Sequence, residues 1–188
     1  MYKNNKETYC FFVKYLVLNV KDGKVSTVRV DMGEPSMAVE DVPVSLEGPQ
    51  AIDAPIQVDG KEWRITCVSM GNPHAVTFVP TLDNFPMEYI GPMFEKHEIF
   101  PKRTNTEFIE IISRNEMKMR VWERGSGETF ACGTGACASV MAGILNGHTE
   151  DAAVVHLLGG DLFIEYDRAT NHIFMTGPAT TVFEGEIE

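Results

Sequence analysis

The stretch Thr134 to Leu145, "TGACASVMAGIL", limits most strongly what this chain can fold into. It reads as an alanine-rich helix, free of proline and stopped by Asn146-Gly147. It is apolar nearly all round, so no side of it can be turned to water. Such a helix has to be enclosed, and the rest of the chain must supply the walls.

Nearly all of the rest is strand-like. "KYLVLNV" and "KVSTVRVDM" flank Asp22-Gly23-Lys24, a hairpin signal. "EWRITCVSM" and "HAVTFV" read as strands joined by "GNP", and "TEFIEIIS" and "MKMRVWER" as a pair turning at Arg114-Asn115. "AVVHLL", "DLFIEY", "HIFMTG" and "TTVFEGEI" read as four more strands. Residues 33–60, with Pro35, Pro43, Pro49 and Pro55, read as loop, and "FPMEYIGPMFEKHEIF" as a second helix bounded by Pro86 and Pro101. A mostly β chain with one all-apolar helix implies an α+β architecture, a sheet curled around that helix.

At 188 residues and 44% hydrophobic content the chain can bury a core, as one large domain or as one domain and part of another. A formal charge of −11 argues against sequence-independent nucleic-acid binding, which relies on basic patches. The opening "MYKNNKETYC" is polar and the apolar run after it is broken by Lys14. With no run long enough to cross a bilayer, the expectation is a cytoplasmic protein without a membrane partner. Of the four cysteines, Cys10, Cys67, Cys132 and Cys137, no two form a C-x-x-C. Cys132 and Cys137, five apart, diverge by about 140° on a helix. A metal site with His148 and His156 is therefore not expected.

Cys132 stands at the mouth of the apolar helix, in "ERGSGETFACGTGACASVMAG". The N–H groups of Gly133, Thr134 and Gly135 lack helical partners and can grip an anion such as a carboxylate. The helix dipole favours a thiolate there. A carboxylate held beside a thiolate suits removal of an amino acid's α-proton. Against this, free cysteine is commonly an inert core residue, the reading given to Cys67 and Cys137. Cys132 is set apart by its glycine flanks and by the upstream Glu123, Arg124 and Glu128.

"RVWERGSGETFACGTGACASVMAG" closely resembles the C-terminal active-site signature of the diaminopimelate epimerase family. "VSMGNPHAVTFV", "FPKRTNTEFIEI", "VRVDMGEP" and "MTGPATTVFEGEI" resemble further motifs of that family, in its order, from about Lys14 to the end. The resemblance implies the family's fold, a mixed β-sheet curled into a barrel around a central apolar helix. It implies interconversion of L,L- and meso-diaminopimelate in lysine and peptidoglycan-precursor biosynthesis, with no cofactor and no metal. Two cysteines would face each other across the substrate, one accepting the α-proton and the other donating to the opposite face. Cys132 matches one of the pair. His74 and Glu123 match positions that adjust the thiols, and Asn72, Asn105, Gly133 and Thr134 match substrate-binding positions. Glu123 and Arg124 match the clamp for the distal amino-acid end. Family members commonly form homodimers when full length.

The second cysteine's "CGNG"-type helix has no counterpart here, and Cys10 has no glycine beside it. The expected organisation is therefore a remnant of the family's first domain at 1–32, the second domain at 33–178, and a strand at 179–188 that normally completes the first. The ends would be left unpaired, swapped or stacked on a neighbour, and the chain alone would be inactive. The alternatives are a same-fold racemase or isomerase on another substrate and a non-catalytic binding fragment.

Overall fold

A computed structural model describes residues 16–180 and 185–186. Cys10 and most of the expected last strand lie outside the described residues.

The described residues open with a hairpin, β1 (Leu16–Lys21) and β2 (Lys24–Gly33), turning at Asp22 (φ 52°) and Gly23 (φ 75°). Two left-handed residues make the tight turn whose twist suits paired strands. A second turn of this kind, Asp59-Gly60, joins β3 (Ala54–Val58) to β4 (Lys61–Ser69), so the segment read as loop contains a strand. Its prolines masked the Asp-Gly signal. β5 (Pro73–Phe78) follows, and α1 (Met87–Glu95) carries the chain over to β6 (Asn105–Ser113), parallel to β5. α1 is shorter than the helix read from the sequence.

β7 (Glu116–Glu123) turns back on β6, and the short β8 (Gly127–Thr129) folds onto its end. α2 (Gly133–Leu145) then leads to β9 (Ala152–Leu157), β10 (Gly160–Asp167) and β11 (His172–Pro178). The strands form one sheet in the order β1-β2-β11-β10-β9-β7-β6-β5-β4-β3, with β8 beside β7.

The barrel expected from the sequence is not closed: β1 and β3 end the sheet and do not pair. The reason lies in β7, whose one edge is shared. Glu116–Lys118 pair with β9, while Val121–Glu123 pair with β8. The sheet fans apart there, and α2 packs against β4, β5 and β6 of one half and β9, β10 and β11 of the other. Every residue from Gly135 to Gly143 is buried.

Two apolar clusters lie on opposite faces of β4–β6. Val68, Val76 and Ile109 point into the α2 cluster. Their neighbours Cys67, Ala75 and Phe108 join the α1 cluster with Phe94 and Ile65. Covered on both faces, "ITCVS" of β4 is buried at every position. Among the described residues no helix is long and apolar enough to cross a membrane.

Candidate active site

Cys132 is the N-cap of α2, in extended conformation, and its Sγ accepts from Gly135 N–H at 3.4 Å. An N-cap is ordinarily a serine, threonine, aspartate or asparagine oxygen; here a sulfur takes that place. Thr134 Oγ1 stands 3.6 Å from the same sulfur. The helix starts at Gly133, one residue earlier than read from the sequence, so Gly133 and Thr134 are its first two positions, whose N–H groups have no helical acceptor.

β5 and β6 deliver the rest. His74 has no exposed surface; its Nδ1 lies 2.7 Å from Glu107 Oε1, and its Nε2–H donates to Asn72 Oδ1 at 3.0 Å. Asn72 Nδ2 in turn donates to Thr134 Oγ1 at 3.2 Å. A polar chain therefore runs from Glu107 through His74, Asn72 and Thr134 to Cys132. It exists because β5 and β6 run parallel with His74 beside Asn105 and Val76 beside Glu107.

Asn105 is a brace. Its Nδ2 donates to Pro73 O at 3.0 Å, and its Oδ1 accepts from Arg124 N–H at 2.8 Å, tying the Asn72–Pro73 turn to the β7 end. Glu123 accepts from Thr129 Oγ1 at 2.5 Å, and its charge acts on Cys132. Arg124 is turned onto Lys102 O at 3.1 Å. Glu123 and Arg124 do not pair with each other. The Arg124 turn is held from α1, where Glu95 accepts from Gly125 N–H at 3.0 Å and Trp122 Nε1–H at 2.8 Å. A cavity of about 420 Å³ lies behind this turn, lined by Glu88, Glu95, Trp122 and Gly127 and away from the sulfur.

The thiol itself departs from expectation. The helix mouth was expected to favour thiolate, yet Cys132 is pushed up to about 11. Burial is the largest cause, since the sulfur is only 8% exposed, and the negative charge of Glu107 is the next. The bonds from Thr134 and Gly135 oppose this and lose. Its surroundings therefore favour the thiol over the thiolate. Cys67 is likewise raised to about 12, and Cys137 higher still, both by desolvation in the core.

His74, Glu107 and Cys132 bring a nitrogen, an oxygen and a sulfur within 4.8 Å of one another. These are donor types that zinc accepts. Two of the three are spent on each other, however, Nδ1 lying 2.7 Å from Oε1.

Sequence reasoning marked Asn72, His74, Asn105, Glu123, Arg124, Cys132, Gly133 and Thr134, and missed Glu95 and Glu107. Glu107 left one signal: an acid amid the apolar run "TEFIEII", two residues from Asn105 and so on the same side of the strand.

Residues 66–182 match the family model described as diaminopimelate epimerase. A diaminopimelate epimerase of Agathobacter rectalis is 61% identical over 183 residues, covering 94% of this chain and 64% of that protein. One of Acetivibrio thermocellus is 56% identical over 176 residues, covering 94% and 63%. The chain thus spans a little under two thirds of the length of these curated relatives. Among solved structures, a hydroxyproline epimerase from Agrobacterium vitis superposes with a TM-score of 0.58 at 13% identity, over 87% of this chain and 52% of that one. A probable proline racemase from Agrobacterium radiobacter does so at 0.56 and 13%, over 91% and 56%. At that identity the likeness is one of fold.

Proposed function

The chain belongs to the diaminopimelate epimerase family, and from that premise we propose that it carries one catalytic half of a two-thiol epimerase interconverting L,L- and meso-diaminopimelate. The observation that carries this reading is the sulfur of Cys132 set at the N-cap of an enclosed helix, between free backbone donors and the Asn72–His74–Glu107 chain.

Gly133 and Thr134 N–H groups grip the substrate's α-carboxylate at the positive end of α2. This puts the α-carbon beside the sulfur. Cys132, a thiol at rest, delivers its proton to one face of the planar α-carbanion, and as thiolate takes it back in the reverse direction. The carboxylate's hydrogen bonds strengthen as charge moves into it, which lowers the barrier. Asn72 hydrogen-bonds the reacting end, Asn105 holds the Arg124 backbone, and Glu123 with Arg124 holds the distal end. His74 and Glu123 adjust the thiols. The reading needs no metal or organic cofactor.

The other face needs a second thiol. Among the described residues the remaining cysteines, Cys67 and Cys137, are core residues, so the partner comes from the third of the relatives' length that this chain does not match. Residues 1–32 and 179–188 belong with that first domain and 33–178 form the second. The sheet curls about α2 as its axis. The assembled enzyme is a cytoplasmic homodimer.

Two measurements test this. meso-Diaminopimelate, and not proline, should protect Cys132 from iodoacetamide; equal protection by both, or by neither, sinks the assignment. The chain alone should release no α-tritium from labelled diaminopimelate, and turnover by it would overturn the one-thiol reading.

A further inference from the structure

Glu107 is a carboxylate with no exposed surface inside the sheet. One oxygen is 2.7 Å from His74 Nδ1, and the other, Oε2, has no hydrogen-bond partner among the described residues. A buried carboxylate oxygen left unpaired costs about 1–3 kcal/mol or more, so such a group is rare without a use. Nothing in the β5–β6 strand pairing requires an acid there.

Its place shows the use. A Cβ built on Gly135 would stand 2.6 Å from Glu107 Oε1 and 3.1 Å from Cys132 Sγ, so both atoms crowd the same bare point on the helix. The absence of a side chain at Gly135 lets the carboxylate and the sulfur approach. At the other end, Asn72 donates through Nδ2 to Thr134 and so turns Oδ1 to His74, which requires a proton on Nε2. The carboxylate is the end of the His74–Glu107 pair that shares Gly135's bare surface with the sulfur.

We propose that Glu107 is a positioning residue for Cys132: it locks His74 and Asn72 in place and, by its charge, keeps the sulfur protonated in the resting site. Apart from Glu107, the ionisable groups about the sulfur are His74 on β5, Glu123 on β7 and Cys137 on α2. Among the described residues Glu107 is the one carboxylate that is both fully enclosed and packed against the N-cap. This rests on the reading of Cys132 as the proton-transferring thiol. It adds that the resting direction of transfer, donor first, is set by a residue that does not touch substrate.

The test compares Glu107→Gln, which keeps shape and hydrogen bonding, with Glu107→Asp, which keeps charge. Each full chain is alkylated with iodoacetamide across pH 7 to 12, and modification at Cys132 is read by peptide mass spectrometry. Glu107→Gln should move the profile to lower pH, with alkylation on the order of tenfold faster at pH 8, one pKa unit being a tenfold change in thiolate. Glu107→Asp should stay near the parent profile. A merely structural carboxylate gives the reverse, a silent Gln and a disruptive Asp. The proposal is overturned if the Gln profile superimposes on the parent, or if Asp moves as far as Gln. If Glu107→Gln does not fold, the Asp profile decides alone: a shift to lower pH overturns the proposal and an unmoved profile supports it. Protection of the parent chain by meso-diaminopimelate, measured alongside, fails independently if Cys132 is not the substrate-facing thiol.

Discussion

The strands β4–β6 and the hairpin β1–β2 are built from similar residues and live in opposite surroundings. "ITCVS" of β4 is buried residue by residue, with one face on α1 and the other on α2. "LVLNVK" of β1 is exposed throughout, Leu16 at 47% and Val20 at 61%. Among the described residues β1 pairs only with β2, which joins the sheet through β11 and is held there by Arg29 stacked on Phe174 and paired with Glu165. Apolar sequence alone therefore does not make a core. It needs a second layer, which two crossover helices supply to β4–β6 and nothing described supplies to β1. The polar site sits in the doubly covered region, where withheld water makes a charge such as Glu107 effective on a neighbour.

Core truncation should separate the two regions most sharply. Phe108 lies in the α1 cluster with its ring 4.6 Å from Phe85 and 5.2 Å from Phe94, centre to centre. Phe108→Ala should cost about 3–5 kcal/mol in urea unfolding. A cost under about 1 kcal/mol would mean that β6 is not packed as described.

Alkali should attack the same region next. The folded values of Cys132, about 11, and Cys67, about 12, lie above the ordinary 9.0. Folding therefore favours the thiol forms. That stability is complete below pH 9 and drains away between pH 9 and 12, by roughly 2–3 kcal/mol for Cys132 alone. Unfolding followed against pH should show the loss, and Cys132→Ser should lessen it.

A smaller effect is expected where α1 meets β7. A Cβ on Gly91 would fall 2.5 Å from the Trp122 ring, which Glu95 holds in place. Gly91→Ala should overpack this contact by about 1–3 kcal/mol, read as a lowered Tm. Least of all, Val17→Thr on β1 should change stability by no more than about 0.5 kcal/mol. A loss near that of Phe108→Ala would show that β1 is covered in solution and erase the contrast.

Much of this was legible in advance. The all-apolar run of α2 demanded enclosure, and the strand runs along "KVSTVRVDM", "HAVTFV" and "HIFMTG" fell where the strands are. Local chemistry is enough for such features, because periodicity, tight turns and caps act over a few neighbouring residues. Asn72, His74, Asn105 and Cys132 could be marked because each lies in its own short motif. The strand within residues 33–60 was hidden, since four prolines spoke for loop while its pairing with β4 came from elsewhere. What only the tertiary structure decided is how those motifs act on one another. The parallel register of β5 and β6, 33 residues apart at His74 and Glu107, sets an acid against the helix mouth. The divided edge of β7 opens the sheet where a barrel was expected. Burial then reversed the expected ionisation of Cys132, because the desolvation of a thiolate in an enclosed site outweighs a helix end and two weak hydrogen bonds. A sequence shows which groups can ionise, but how dry their surroundings are belongs to the fold.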